Sequence, residues 1–227
     1  VKHYVCIFND ITKRRQMEQQ LLKQATYDSL TNLPNRVLLI DRVDQAILQA
    51  KKDKSLLAFL FLDLDRFKMT NDTLGHSMGD KLLQSVANRL LSMTSDFDTV
   101  ARLGGDEFVI LLPHAVSTQQ TEKLARELLH GIEKTIQIEQ HSLKITASLG
   151  ISYYPQDGND YESLIRCADL SMYYAKDSGR NNYRAYEPEM NRRVINHMLM
   201  DTALRDAMKN KEIYLVYQPL IDLKKSQ

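Results

Sequence analysis

The chain is poor in cysteine, in net charge and in long apolar runs, and each shortage closes off a class of protein. Only two cysteines occur among its 227 residues. Cys6 and Cys167 form neither a metal-binding nor a redox spacing, so they read as two reduced cytosolic thiols, with Cys167 packed in a core. The formal net charge is +1, from 30 basic and 29 acidic residues. That balance leaves no electrostatic footprint for nucleic acid or for a membrane surface. The longest apolar run, Leu56 to Leu62, falls far short of the ~20 residues that span a bilayer. No signal peptide, internal repeat or low-complexity tract is visible, and an excised fragment would not show a leader. What remains is an ordinary globular composition, 43% hydrophobic, long enough for one complete domain with flanking segments.

Two clusters of acid stand out. Ala101-Arg102-Leu103-Gly104-Gly105-Asp106-Glu107-Phe108-Val109-Ile110-Leu111-Leu112 sets two glycines between apolar stretches and follows them with two carboxylates. Gly-Gly favours the positive dihedrals of a tight turn, and the flanks read as strands, so the run describes a hairpin with two acids at a turn of little bulk. Leu56 to Leu62 reads as a strand buried on both faces and ends in Asp63-Leu64-Asp65. Asp63 and Asp65 are expected on the same side, roughly 7 Å apart along the strand. If the strand pairs with the hairpin, Asp63, Asp106 and Glu107 converge, and converging carboxylates require a cation. Oxygen ligands without a Cys or His cluster favour Mg²⁺ or Mn²⁺ over Zn²⁺.

The remaining pattern alternates helix and strand. Lys13 to Tyr27 reads as a charged helix with a narrow apolar stripe of Met17, Leu21 and Gln24 or Ala25, suited to a short seam between protomers. Pro34 and the apolar positions Val37, Leu38, Ile40, Val43 and Ile47 mark a second helix. Gly79 to Met93 reads as a third, with Leu82, Leu83, Val86, Leu90 and Met93 inward. Ser117-Thr118-Gln119-Gln120 is a candidate capping box for a helix towards Glu133. Strands are expected at Ile136–Ile138, Leu143–Ser148 and Tyr183–Tyr186. Asp160 caps a helix to Ser178 with Gly179 as its stop, and Pro188 opens a long helix through Asn210. The sum is an α/β sandwich with a mixed central sheet.

The acidic hairpin resembles the GGDEF signature of diguanylate cyclases, bacterial signalling enzymes that join two GTP molecules into cyclic di-GMP. Other family motifs appear in order: Asp28 to Arg36 resembles the opening motif, Asp63 to Asp72 the first active-site segment, Gly75 to Asp80 the next, and Ala175 to Asn181 the late phosphate-contact motif. The resemblance covers about Tyr27 to Tyr186 and implies a palm-like fold shared with nucleotidyl cyclases and polymerases. The flanks are less specific. His3 to Thr12 resembles the last strand of a PAS sensor domain, and Glu212 to Asp222 the opening of an EAL phosphodiesterase domain, without its catalytic residues. The expected organisation is therefore 1–12 PAS-like, 13–27 linker helix, 28–187 GGDEF domain, 188–210 linker helix and 211–227 EAL-like, a central piece of a PAS-GGDEF-EAL protein. Its expected location is the cytoplasm, or the cytoplasmic part of a membrane-attached bacterial protein.

The resemblance also implies roles. Asp63, the Leu64 backbone carbonyl, Asp106 and Glu107 would bind metal, two ions for each GTP; Asp106 would bind metal, help deprotonate the attacking hydroxyl, or both. Two cations about 3.5–4 Å apart activate one oxygen and stabilise the other. Lys68, Lys176 and Arg180 resemble the triphosphate contacts, and Gly104 and Gly105 permit close backbone approach. Asn71 and Asp80 resemble the guanine readers. Asp28 and Arg36 are expected to pair across the first loop. One departure concerns the inhibitory Arg-x-x-Asp motif, where this chain has Ser95-Asp96-Phe97-Asp98; serine cannot replace a forked guanidinium, so weak or absent product inhibition is expected. An active cyclase would work as a homodimer with one GTP in each protomer. The alternative is a catalytically silent GTP-binding domain that regulates an EAL phosphodiesterase.

Overall fold

The computed structural model describes residues 12–192 and, beyond them, residues 203, 207–210, 212, 214, 216 and 217. The PAS-like stretch with Cys6, most of the helix expected after Pro188 and most of the EAL-like stretch lie outside the described residues. The chain divides into two units, Val1–Glu187 and Pro188–Gln227. In the second, the backbone at 207–209 is helical, and Tyr214, Val216 and Tyr217 are exposed.

The first unit is built on β1 (Leu56–Leu64). Its odd and even residues feed two separate cores, which is why the run is apolar without alternation. Leu57, Phe59 and Phe61 join a cluster with α2 (Arg36–Asp53) and α6 (Tyr161–Asp177). Ala58, Leu60, Leu62 and Leu64 join the opposite cluster with α4 (His76–Met93) and α5 (Thr118–Glu133). The sheet is thus covered by helices on both sides.

Five strands make the sheet, in the order β2-β3-β1-β6-β7. β2 (Thr99–Gly104) and β3 (Glu107–Ala115) form the expected hairpin, and β3 pairs antiparallel with β1. β6 (Ala147–Tyr154) pairs antiparallel with the other side of β1, and β7 (Tyr183–Ala185) runs parallel to β6. One parallel and three antiparallel pairings give the mixed sheet that the sequence implies. β4 (Ile136–Ile138) and β5 (His141–Leu143) form a separate small ribbon. α1 (Thr12–Thr26) leads in, with Met17, Leu21 and Leu22 exposed.

Local chemistry sets most boundaries. The Asn35 side chain caps α2 by accepting from the Val37 and Leu38 amides. Asp160 and Ser163 exchange hydrogen bonds in a full capping box at α6, and Ser117 accepts from the Gln120 amide at α5, each satisfying amides that the first helical turn leaves open. Arg89 of α4 donates to the carbonyl oxygens of Gly131, Ile132 and Lys134 at 2.9, 3.1 and 2.6 Å, tying down the end of α5.

Two expectations need correction. The strand expected at Leu143–Ser148 is not one element: β5 stops at Leu143, and a new central strand begins at Ala147 and continues to Tyr154. The helix expected from Gly79 begins at His76, and a further helix, α3 (Phe67–Leu74), precedes it.

Candidate active site

The acidic centre follows from register. Asp63 lies opposite Glu107 across the β1–β3 pair and opposite Ser148 across the β1–β6 pair. Asp63 shares its face with Phe61 and Glu107 shares its face with Val109, so both carboxylates face the side covered by α2 and α6. Directly opposed side chains in a sheet have Cβ atoms about 4.5–5.5 Å apart, where like charges repel. The turn between the two strands is Gly105-Asp106, one residue later than Gly104-Gly105, because the register shifts between Arg102 and Gly104. Gly104 and Gly105 take φ of 152° and 51°, and a Cβ on either would meet nothing within 4 Å. Their backbone is therefore open to a ligand.

Electrostatics mark the same place. Burial raises the Asp63 carboxyl pKa above the ordinary carboxylate value, and the charges of Asp106 and Asp65 add to the rise against the hydrogen bond and charge of Lys176. Covering likewise raises Glu107, reinforced by Asp63, Asp169 and Asp106 and opposed by Arg36. The answering cation is Lys176, whose Nζ lies 2.7 Å from Asp63 Oδ1. Lys176 reaches it because α6 packs closely on β6: a Cβ on Gly150 would collide with the Ala168 carbonyl oxygen and the Met172 amide nitrogen. Ala168, Met172 and Lys176 share one helix face at four-residue spacing.

Among the described residues, no three acidic, histidine or cysteine side chains already stand as a metal-binding group. The chemistry of the donor set nevertheless fits a divalent cation. A buried carboxylate, Asp63, and a half-buried one, Glu107, both with raised pKa values, face each other, and an ammonium now supplies the positive charge. Leu64 turns its side chain into the core, and its amide donates to the Asp106 carbonyl at 3.3 Å, so only its backbone faces the cluster.

The other expected contacts form two neighbouring groups. At the α3–α4 junction, a Cβ on Gly79 would collide with Asn71 Oδ1, and Asp80 follows within α4 as an exposed residue. Asn71 Oδ1 is buried with no hydrogen-bond partner. An orphaned buried acceptor costs free energy and fits a ligand donor. At the start of α3, Arg66 has φ 58° and gives no side-chain cap, leaving the first amides, Lys68 among them, for an anion. Lys68 and Arg180 are exposed. Arg180 lines a cavity of about 340 Å³ with Asp65, Arg66, Lys144 and Asn181.

Five residues carry roles that sequence reasoning missed or misassigned: Arg102, Asp28, Arg36, Asp169 and Asp65. Arg102 donates from Nε and Nη2 to the Gly105 carbonyl at 3.0 and 2.7 Å and from Nη1 to Asp28 at 2.9 Å. Asp28 thus pairs with Arg102, not with Arg36, which instead directs its charge towards Glu107. Burial tends to raise Asp28, but bonds from Thr31 and Arg102 outweigh it and hold the carboxyl below its ordinary value. Asp169, on the exposed side of α6, is raised by partial covering against the nearby Lys176 charge and adds a further negative field at Glu107. Asp65 turns away from the acidic centre and accepts three hydrogen bonds elsewhere.

Ser95 and Asp98 bond to each other, the Ser95 amide and hydroxyl both donating to Asp98 Oδ2 at 2.8 Å. They line a cavity of about 250 Å³ with Leu112 and His114, towards the end of β3 away from Glu107.

This arrangement has close counterparts. The chain is 43% identical over 210 residues to the bifunctional diguanylate cyclase/cyclic di-GMP phosphodiesterase MucR of Pseudomonas aeruginosa, covering 92% of this chain and 30% of MucR. It is 38% identical over 217 residues to the cyclic di-GMP phosphodiesterase PdeR of Escherichia coli, covering 96% and 32%. The chain thus spans about a third of the length of these curated relatives. The solved GGDEF domain of TpbB (YfiN) from Pseudomonas aeruginosa superposes with a TM-score of 0.72 at 36% identity, covering 74% of this chain and 98% of that one. The family model for "Diguanylate cyclase, GGDEF domain" matches residues 25–182, a span that holds the acidic hairpin, β1 and the Lys176 helix. With fold, hairpin and sequence in agreement, the chain belongs to the GGDEF diguanylate cyclase family of cyclic di-GMP signalling.

Proposed function

We propose that this domain condenses two GTP molecules into cyclic di-GMP. The 3′-hydroxyl of each GTP attacks the α-phosphate of the other, and each attack expels pyrophosphate. The observation that carries the reading is the Asp63–Glu107 pair facing Lys176 beside an open glycine turn. Asp63, Glu107 and the Leu64 carbonyl would hold the metal ions, with Asp106 as ligand, as proton acceptor for the hydroxyl, or as both. Mg²⁺ or Mn²⁺, two for each GTP, would supply charge neutralisation at the attacking and leaving oxygens. Lys176, Arg180 and Lys68 would hold the triphosphate, with the amides at the start of α3 beside it. Asn71 and Asp80 would read guanine, whose N1 and N2 donors adenine lacks; a site built on such pairing rejects the analogue. Catalysis is then mostly positioning and electrostatics.

Each domain holds one GTP, so the reaction requires a homodimer with the two hairpins facing. The exposed Met17, Leu21 and Leu22 of α1 support a seam that brings the copies together. Neighbouring PAS and EAL domains complete the proposed architecture, in the cytoplasm. Among the described residues, no helix is long and apolar enough to cross a membrane.

The similarity to PdeR, named a phosphodiesterase, favours a second reading in which the domain binds GTP without turnover and regulates its neighbour. The intact set Gly104, Gly105, Asp106, Glu107 and Asp63 supports turnover. Incubation with GTP and Mg²⁺, followed by chromatography of the products, separates the two. Cyclic di-GMP formation lost in Glu107→Gln supports the cyclase. GTP binding with no dinucleotide, even at high protein concentration, overturns it in favour of the regulatory reading.

A further inference from the structure

Asp65 is buried at 7% exposure, and although its charge is felt at Asp63, its carboxylate makes its hydrogen bonds away from the acidic centre. Its Oδ1 accepts from the Ser148 hydroxyl at 2.8 Å, and its Oδ2 accepts from the Thr146 hydroxyl at 2.7 Å and the Asn181 amide at 3.1 Å. Its own amide donates to the Thr146 carbonyl at 2.8 Å. Asp65 therefore joins three places: the end of β1, the start of β6 and the turn after α6.

That turn is unusual backbone. Gly179, Arg180 and Asn181 take φ of 112°, 63° and 48° in succession. Two of the three carry side chains in the left-handed region, which Asn181 enters at little cost but Arg180 occupies only when its surroundings hold it there. The holding bonds are few. The Arg180 amide donates to the Ala175 carbonyl at 3.2 Å, and the Asn182 side chain donates to the carbonyls of Ala175 and Arg180 at 3.0 and 2.9 Å. Two charged acceptors join them at Asn181: exposed Glu133, 3.4 Å from the side-chain Nδ2, and buried Asp65, which holds the backbone amide at the shorter 3.1 Å. Bonds to a charged group are the strong ones. Arg180 projects from this turn beside Asp65 and Arg66.

We propose that Asp65 is the positioning residue of the phosphate arm: by holding the Asn181 amide it fixes the left-handed turn that presents Arg180 to the terminal phosphates of GTP. The inference rests on the reading of Arg180 as a triphosphate contact. It assigns Asp65 no contact with substrate or metal. An amide at this position accepts on one side only, so Asp65→Asn keeps the volume but cannot satisfy all three donors.

The test is a double-mutant cycle on the full chain, with GTP and GMP affinities measured by calorimetry in Ca²⁺ to prevent turnover. Asp65→Asn is expected to weaken GTP about tenfold, the loss of one hydrogen bond to a charged group, while leaving GMP unchanged. In an Arg180→Ala background the same substitution is expected to cost nothing further, because residues that act through one another are not additive. Exchange of the Asn181 amide, followed by NMR, should quicken in Asp65→Asn. A full tenfold loss retained in the Arg180→Ala background, or a lowered melting temperature with GTP affinity intact, overturns the proposal. An Asn181 amide as protected as in the wild type also overturns it. Arg180→Ala with undiminished GTP affinity overturns the underlying phosphate reading instead, and amide exchange then shows whether the tether itself exists. Should Asp65→Asn not fold, exchange of the Asn181 amide in the wild-type chain still decides: protection supports the tether, and exchange as fast as in an unfolded chain overturns it.

Discussion

Gly150 is where the fold and the acidic centre are joined most tightly, so Gly150→Ala is the most searching substitution. The residue lies mid-strand in β6, opposite Phe61 of β1. An added Cβ would stand 3.0 Å from the Ala168 carbonyl carbon and nearer still to its oxygen and to the Met172 nitrogen. Carbon contacts relax at about 3.5–4.0 Å, and these are backbone atoms of a helix that cannot rotate aside, so α6 must retreat by ~1 Å. Overpacking of this kind costs about 1–3 kcal/mol. At about 2–4 °C for each kcal/mol in a domain of this size, the melting temperature should fall by about 2–12 °C. The retreat also draws Lys176 from Asp63, which it now meets at 2.7 Å. Loss of cyclase activity should therefore exceed what unfolding explains, with assays run well below the new transition. Thermal melts by circular dichroism and initial rates on the same preparation check both parts. A melting temperature within 1 °C of wild type, with unchanged turnover, would refute the argument that α6 rests directly on the β6 backbone.

Other outcomes follow from the same geometry. Glu107 has its carboxyl raised from 4.5 by burial and by neighbouring acids. The folded state therefore binds its proton more tightly than the unfolded state, and this contribution to stability is lost as pH rises through the folded pKa. The melting temperature of Glu107→Gln, relative to wild type in EDTA, should climb as pH rises from 4.5 towards neutrality, and Mg²⁺ should shrink the gap; a flat difference curve contradicts this. Arg102→Met removes both the turn clamp and the partner of Asp28, so stability should drop by about 1–3 kcal/mol in denaturant titrations and turnover by more than the unfolded fraction accounts for. Unaltered turnover would mean that the clamp does not set the hairpin. With Ser95 in the arginine position, micromolar cyclic di-GMP should leave initial rates unchanged, and Ser95→Arg should introduce inhibition; strong inhibition of the wild type through that surface would refute the reading.

Much of the sheet was legible because its patterns are strong. The unbroken run from Leu56 to Leu62 announced a strand covered on both faces, and the two glycines announced the hairpin. Asp160 and Gly179 bounded α6 correctly to within a residue or two. β6 was hidden because one of its faces is made of Ser148, Gly150 and Ser152. Gly150 and Ser152 carry no strand signal, so the strand was read as ending at Ser148; at Gly150 the small residue is what lets α6 approach. α3 was hidden because eight residues show too little periodicity to separate from a loop. Within the site, Asp63 and Glu107 were legible from strand ends. Asp169 and Arg102 were not: Asp169 brings its charge to Glu107 from α6, and Arg102 ties the Gly105 carbonyl to Asp28, a partner that only the folded chain brings close. Asp65 was read by strand alternation, but β1 ends at Leu64, and beyond that point alternation no longer governs direction.

The strand order leaves β2 and β7 as the two rims of the sheet. A straight rim would invite another chain to extend it. Here β7 is only three residues long, and β2 is kinked by its register shift at the end nearest the turn. Copies of the domain pressed rim to rim meet a very short ladder at β7 and, at β2, one that bends near the turn and already donates its Arg102 amide to the Pro34 carbonyl, so the irregularity that opens the glycine turn also works against fibrous association through these rims.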